Sequence, residues 1–257
     1  PRSVEEMSHS PFRLDGKRIL ITGASSGIGR AAAIECAKAG AATCILTGRN
    51  EEALRLTAQM LPDSTEGVIR VCDMSDTSAI DAMVMEMGPV DGVVCNAGIN
   101  RMRTVQFCSE KDLADIFGVN CFAPVLLVKQ LVKRKKLLNP SSIVFTASIS
   151  GYSNVSVGNA VYGASKSALS AYMKYAALEL APKGIRCNAV HPGRIETPLI
   201  HSGVTDDEDI RRDMERYPMR RYGRPEEVAY SIVYLLSDAA AWITGTDLVI
   251  DGGRSLV

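Results

Sequence analysis

The chain has 257 residues, 46% of them hydrophobic and 23% charged, with 29 basic and 29 acidic side chains that cancel to a formal net charge of zero. That is ordinary globular composition, enough for one sizeable α/β domain or two small ones. A neutral balance supplies no global field to hold nucleic acid or an anionic membrane, so neither is expected as a partner, and the longest apolar runs break before the roughly 20 residues that span a bilayer.

The first segment, Pro1 to Leu14, is polar and carries no apolar signal region. Residues 1–13 read as a tail ahead of one domain over 14–257. Met7 is a candidate start, which would make residues 1–6 foreign to the protein; a native tail is the alternative. Short apolar runs then alternate with longer helical stretches. Strands are predicted at Arg18–Ile21, Thr43–Leu46, Val68–Val71, Gly92–Cys95, Ser142–Phe145, Arg186–Val190 and Leu248–Ile250. Helices are predicted between them at Gly29–Ala39, Glu51–Leu61, Thr77–Met87, Ser109–Lys136, Asn159–Leu180 and Pro225–Leu236. Strands that read as continuous apolar runs are buried on both faces, and regular β-α alternation gives a parallel sheet between two helical layers. The stretch 193–223 has the least pattern and the most charge; it reads as a substrate lid or as a solvated excursion.

The seven cysteines have no CxxC spacing and sit mostly in apolar context, as small buried hydrophobes do in a reducing compartment, so a cytoplasmic protein is expected. The three histidines, His9, His191 and His201, are too scattered to suggest a metal site.

Two local patterns carry chemistry. The first strand runs into Gly23-Ala24-Ser25-Ser26-Gly27-Ile28-Gly29 and an Ala-rich helix. Such a turn lets backbone approach a pyrophosphate, and the helix dipole favours negative charge there. The second strand ends in Gly48-Arg49-Asn50, with no carboxylate before Glu51. An acidic residue there would bind a ribose 2′-hydroxyl, whereas an arginine suits a 2′-phosphate, so Arg49 points to NADP(H); a solvated arginine is the alternative. The other pattern is Tyr162 with Lys166 one helical turn on, a phenol beside an ammonium that would favour its phenolate.

With these motifs in order, together with Cys95-Asn96-Ala97-Gly98, Asn120, Ser148, His191-Pro192-Gly193 and Asp251-Gly252-Gly253, the chain resembles the short-chain dehydrogenase/reductase family from about Leu14 to Gly253. The resemblance implies a three-layer α/β Rossmann-type fold with a seven-stranded parallel sheet. It implies that Gly23, Ser25, Ser26, Gly27, Ile28 and Gly29 cradle the dinucleotide, that Asp73 with Met74 meets the adenine, and that Asn96, Ala97 and Gly98 line the cleft. Pro192, Gly193, Ile195 and Thr197 would meet the nicotinamide. Tyr162 would donate the proton, Ser148 polarise the carbonyl, Lys166 hold the ribose and Asn120 a relaying water. For Asp73 a helix N-cap is an alternative role, and for Asn120 a helix-bending amide with local bonds. Ser148 precedes Tyr162 by fourteen residues where thirteen is common, with Ser150 and Ser153 as less suited substitutes.

Within the family the likeness is greatest to 3-oxoacyl-acyl-carrier-protein reductases, especially over Met219–Glu227. An acidic carrier would need a basic rim, and Lys129, Lys133, Arg134, Lys135, Lys136 and Lys183 end two helices; dipole complementarity alone also explains them. Arg101, Arg103 and Arg194 could face an anionic substrate. Alternatives are a hydroxysteroid, sugar or polyol dehydrogenase, or a dinucleotide-binding redox regulator, which would be expected to lose the proton donor. Small residues at Ala164, Ala168 and Ala171 allow close helix packing, and the resemblance implies a homotetramer; packing on the sheet is the alternative.

Overall fold

All seven apolar runs enter one sheet. The computed structural model describes residues 10–197 and 207–257. The strands are β1 (Arg18–Thr22), β2 (Thr43–Gly48), β3 (Glu66–Val71), β4 (Val90–Cys95), β5 (Leu137–Thr146), β6 (Ile185–Pro192) and β7 (Asp247–Ile250). They pair in parallel in the order β3-β2-β1-β4-β5-β6-β7. The register puts Leu20 of β1 between Ile45 of β2 and Val93 of β4. Sheet growth reverses between β1 and β4, and the crevice at the C-terminal ends of such a pair is where open α/β sheets hold ligands.

The helices are α1 (Gly27–Lys38), α2 (Glu51–Gln59), α3 (Thr77–Glu86), α4 (Glu110–Phe117), α5 (Ala123–Lys133), α6 (Ala160–Leu180), α7 (Asp207–Glu215) and α8 (Pro225–Leu236). One apolar cluster joins α1, α2 and α8 to one face of the sheet, through Ala32, Leu54 and Ile232 among others. A second joins α3, α5 and α6 to the other face, through Val84, Leu127 and Met173. The result is the three-layer Rossmann-type arrangement that the alternating pattern implies.

Three differences from the sequence reading have physical causes. The stretch read as one helix from Ser109 to Lys136 is α4 and α5 joined by a π-helical turn, Gly118–Phe122, and it stops at Lys133. Lys135 takes a left-handed φ of 53°, which turns the chain directly into β5, five residues earlier than predicted. The charged helix α7 was not anticipated, because Ile210 and Met214 are its only apolar side chains beside seven charged ones, too short a stripe to mark a helix in a sequence. Residues 198–206 of the predicted lid, and 1–9 of the tail, lie outside the described residues.

By length and composition, Glu110–Lys133 could cross a bilayer. Here it is a core element: Ile116, Leu127 and Leu131 are fully covered, α5 packs on α3 and α4 packs on α6.

Gly92 tests how tightly the sheet is packed. A Cβ there would lie 2.7 Å from Ile19 Cδ1 and 2.9 Å from Leu236 Cδ2. Overpacking should outweigh the entropy gained, so Gly92→Ala is expected to destabilise by about 1–2 kcal/mol, read from urea unfolding.

Candidate active site

The glycine turn is shaped by backbone contact. Gly23 and Gly27 have φ of 67° and 53°, and a Cβ on Gly29 would meet the Gly23 carbonyl oxygen at 2.1 Å, so only glycine lets α1 start this close to β1. Ser26, the residue before α1, makes no side-chain cap, which leaves the first-turn amides to a ligand oxyanion. These features fit the pyrophosphate of a dinucleotide.

Residues that the sequence reading missed hold this turn in place. The Thr22 hydroxyl donates to the Val94 carbonyl at 3.2 Å and accepts from the amides of Asn96 and Ala97 at 2.9 and 3.0 Å. Asn96 Nδ2 donates back to the Thr22 carbonyl at 3.1 Å. On the far side, Arg30 donates to the Ser25 carbonyl and to Thr57 Oγ1, and Thr57 donates to the Ala24 carbonyl at 2.9 Å. The sequence places Thr22 at the head of the glycine motif, at the end of β1, without assigning it a role.

Beyond the C-terminal end of β3, Asp73 accepts from the amide and hydroxyl of Ser75 at 2.9 and 2.8 Å. These bonds, the amide's first, and the charge of Arg49 hold its carboxyl below the usual range. The N-cap of α3 is Asp76 and not Asp73. Met74 is buried in the core beside Cys72 and Ile80, so its side chain is not free to meet a cofactor and only its backbone could. Arg49 is exposed and has no hydrogen bond or ion pair among the described residues, which leaves its guanidinium available to a phosphate.

Under the cleft lies Lys166, 3% exposed. Its Nζ donates to the Thr146 carbonyl at 2.7 Å and sits 6.0 Å from the centre of the Tyr162 ring. Burial brings its pKa down to about 8. Burial likewise raises the pKa of Tyr162, and the nearby Ser148 hydroxyl lowers it by less. The acidification of Tyr162 expected from Lys166 is therefore not what dominates here: desolvation of the phenolate outweighs it. Gly98 covers the pair, since a Cβ there would lie 3.2 Å from Lys166 Nζ and 3.3 Å from Asn120 Oδ1.

Asn120 sits in the π-helical turn, fully buried. Its Oδ1 accepts from the Ile99 amide at 2.8 Å, and its Nδ2 donates to the Ile99 carbonyl and to Ser165 Oγ at 2.9 and 3.1 Å. Its bonds are thus long-range, tying the β4 loop to the helix, rather than local. Ser148 lies in the loop after β5, where its Oγ accepts from the Ser150 amide at 3.0 Å. Its carbonyl oxygen is 2.8 Å from His191 Nδ1, and His191 Nε2 is 2.8 Å from Asp247 Oδ1 on β7. Pro192 and Gly193 end β6, where Gly193 N donates to Ile250 O at 2.9 Å. Ile195 is buried and pairs with Gly223, and Thr197 lies over the glycine turn, with its Cγ2 3.1 Å from where a Gly27 Cβ would be.

The charged residues offered as substrate contacts are otherwise engaged. Arg101 pairs with Asp115 at 2.6 Å, Arg103 lies 4.0 Å from Asp112, and Arg194 pairs with Asp213 at 2.9 Å. The basic run after α5 and Lys183 after α6 lie at the N-terminal ends of β5 and β6, the sheet edge opposite Tyr162. There Arg134 pairs with Asp81 at 2.6 Å and Lys136 donates to the Met85 and Met87 carbonyls. These contacts tether the loop and do not form a rim around the cleft.

Comparison with known proteins places this arrangement. A family model described as enoyl-(acyl carrier protein) reductase (adh_short_C2) matches residues 23–255. A short-chain type dehydrogenase/reductase of Mycobacterium marinum superposes with a TM-score of 0.85 at 34% identity, covering 95% of this chain and 97% of that one. The chain belongs to the short-chain dehydrogenase/reductase family. It is similar to the 2-keto-3-deoxy-L-fuconate dehydrogenase of Xanthomonas campestris, 35% identical over 95% of this chain and 81% of the relative. It is also similar to the 3-oxoacyl-[acyl-carrier-protein] reductase FabG of Rickettsia bellii, 33% identical over 95% and 99%. The 3-ketoacyl-(acyl-carrier-protein) reductase of Brucella melitensis, solved with NADH, has a TM-score of 0.83 at 30% identity over 94% and 99%. Pseudomonas aeruginosa RhlG, solved with NADP, has 0.89 at 28% over 96% and 99%. As a short-chain dehydrogenase/reductase, the protein is an oxidoreductase of alcohol and ketone groups that uses a nicotinamide dinucleotide.

The depressed Lys166 pKa has a measurable consequence. Between pH 8 and its ordinary 10.5 the unfolded chain holds this proton and the folded one does not, so the contribution of Lys166 to stability rises with pH across that window, while the buried Cys44, Cys72 and Cys187 thiols, pushed up to about 12, 11 and 12, act in the opposite sense. The stability of the wild type relative to Lys166→Met is therefore expected to increase from pH 7.5 to 9 and 10, measured as the difference between their unfolding free energies at each pH.

Proposed function

We propose that the protein is an NADP(H)-dependent reductase that interconverts a ketone and a secondary alcohol, with Tyr162 as general acid/base and a 3-oxoacyl thioester as substrate. The observation that carries the reading is the grouping of Tyr162, Ser148 and Lys166 at the strand ends beside the glycine turn. The bound nicotinamide supplies the hydride. Tyr162 gives its phenolic proton to the carbonyl oxygen, and Ser148 holds that oxygen by a hydrogen bond. Lys166 keeps positive charge beneath the phenol and steadies the phenolate that forms. Asn120 fixes the β4 loop that carries Gly98 and helps return a proton toward Lys166. In the oxidative direction the same groups act in reverse.

Arg49 is the 2′-phosphate ligand. The glycine turn (Gly23, Ser25, Ser26, Gly27, Ile28, Gly29), Asp73, the Met74 backbone, Asn96, Ala97 and Gly98 hold the rest of the cofactor, with Pro192, Gly193, Ile195 and Thr197 toward the nicotinamide. The segment 193–223 forms a lid on a single domain spanning 14–257. The alanine stripe of α6 turns outward, since Ala164 and Ala171 are exposed together with Tyr175 and Leu178. We read this face as a subunit contact in a cytoplasmic homotetramer. A second reading, a sugar-acid dehydrogenase, is favoured by the likeness to the Xanthomonas enzyme.

NADPH consumption with acetoacetyl-CoA tests the substrate. Turnover supports the thioester reading; none, from protein that binds NADPH, shifts the assignment to sugar acids. Tyr162→Phe should lower kcat by about 100- to 10,000-fold at unchanged NADPH affinity, and full turnover would refute the mechanism. Arg49→Ala should raise KM for NADPH by about tenfold or more while leaving that for NADH nearly unchanged, since it removes a charge-assisted phosphate contact.

A further inference from the structure

The His191 side chain on β6 is fully buried, and an acceptor stands at each of its nitrogens. Nδ1 lies 2.8 Å from the Ser148 carbonyl oxygen, and Nε2 lies 2.8 Å from Asp247 Oδ1. A carbonyl can only accept. The Asp247 side chain is 5% exposed; its Oδ2 pairs with Lys174 Nζ at 2.8 Å, and the Ser170 hydroxyl donates to its Oδ1 at 2.6 Å. Burial works against its charge, but Lys174, Ser170 and His191 together outweigh that and hold the carboxyl below its usual range, so it accepts as well. Ser170 Oγ also comes within 3.4 Å of His191 Nε2, with its proton committed to Asp247. The Tyr152 ring, in the turn after Ser148, has its centre 4.2 Å from that of His191, a neighbour that favours positive charge on the imidazole. Lys174 is 55% exposed, so water shares in supporting its charge and leaves Asp247 to serve the buried ring. Both contacts of His191 are hydrogen bonds only when both of its nitrogens carry a proton.

We propose that His191 is a positioning residue for Ser148: as an imidazolium it donates from Nδ1 to the serine's carbonyl and from Nε2 to Asp247, and so sets how Ser148 Oγ faces Tyr162. The assignment rests on the reductase reading above and deepens it. The amides on either side of Ser148 are tied to β6, Ala147 N to Val190 O at 2.9 Å and Ile149 N to Pro192 O at 3.2 Å. The Ser148 carbonyl between them accepts from no other group among the described residues, so the ring fixes the one peptide that those ties leave free to turn. A neutral ring would keep its proton for the carboxylate, the stronger acceptor, and would leave the Ser148 carbonyl unheld. Asp247, outside the cleft, thus sets the serine through one ring.

Nuclear magnetic resonance of the wild-type protein with isotope-labelled histidine tests the ring directly. At pH 7 each nitrogen of His191 should carry a proton, with its signals assigned against His9→Gln and His201→Gln; a ring with a single proton overturns the proposal. Two substitutions then separate the two bonds. An asparagine amide nitrogen takes the place of Nδ1, and a glutamine amide nitrogen that of Nε2. With acetoacetyl-CoA and NADPH, His191→Gln should lower kcat by about 10- to 100-fold at unchanged KM for NADPH, as misplacing a reacting group by about an ångström does. His191→Asn, which can still hold the Ser148 carbonyl, should turn over about fivefold or more faster than His191→Gln. A mere strut between the loop and β7 would be better served by glutamine, so equal losses or a faster His191→Gln overturn the positioning role. If neither variant folds, the ring protons of the wild type decide. They decide as well if the wild type binds NADPH but leaves acetoacetyl-CoA unreduced, a result that counts against the thioester reading alone.

Discussion

The Thr22 hydroxyl stands where the sheet reverses its growth, and the cleft is organised around it. One oxygen donates to β4 and accepts two amides from the loop beyond it. Parallel strands leave their C-terminal loops side by side without a ladder between them, so something has to join them. Thr22 does so with a group too short to fill the crevice. Glycine turn and Asn96 loop are thereby fixed as one surface, with Gly29 packed so closely under Gly23 that no side chain can intervene. Everything farther along the cleft, from Gly98 to Lys166, is placed relative to that joint.

The electrostatics beneath the cleft follow from burial more than from pairing. Lys166 has one carbonyl partner and little water, which is why its pKa falls, and the phenol above it is pushed the other way. The two shifts move an ammonium and a phenol, close in proton affinity in water, apart: the lysine gives up its proton more readily and the phenol less so. The π-helical turn contributes to the same economy of space: it widens the helix at Asn120 so that its amide reaches across to Ile99.

Much of this was legible in the residues. β-Branched runs such as Ile19-Leu20-Ile21 and Ile143-Val144-Phe145 could only be buried strands, and the turn and the Tyr162/Lys166 spacing marked the site. Helix α7 was not legible because Ile210 and Met214 alone make too short an apolar stripe amid so much charge. The π-helical turn was hidden because the hydrophobic pattern runs straight through it. The basic run after α5 misled because sequence order says nothing about which end of the sheet a helix terminus reaches. Arg101, Arg103 and Arg194 looked free for the same reason: their carboxylate partners are 9 to 19 residues away, in other elements.

The contact from Ser148 through His191 to Asp247 binds the loop after the fifth strand to the last strand of the chain. Ser170 and Lys174 of α6 also meet Asp247, at 2.6 and 2.8 Å. During synthesis, then, the ribosome must deliver residue 247 before the serine loop has its anchor, although Ser148 itself emerged about a hundred residues earlier. A nascent or C-terminally clipped chain could already hold its glycine turn and dinucleotide surface while its serine remained unset. The anchoring of the Ser148 loop is thus among the last contacts the polypeptide acquires.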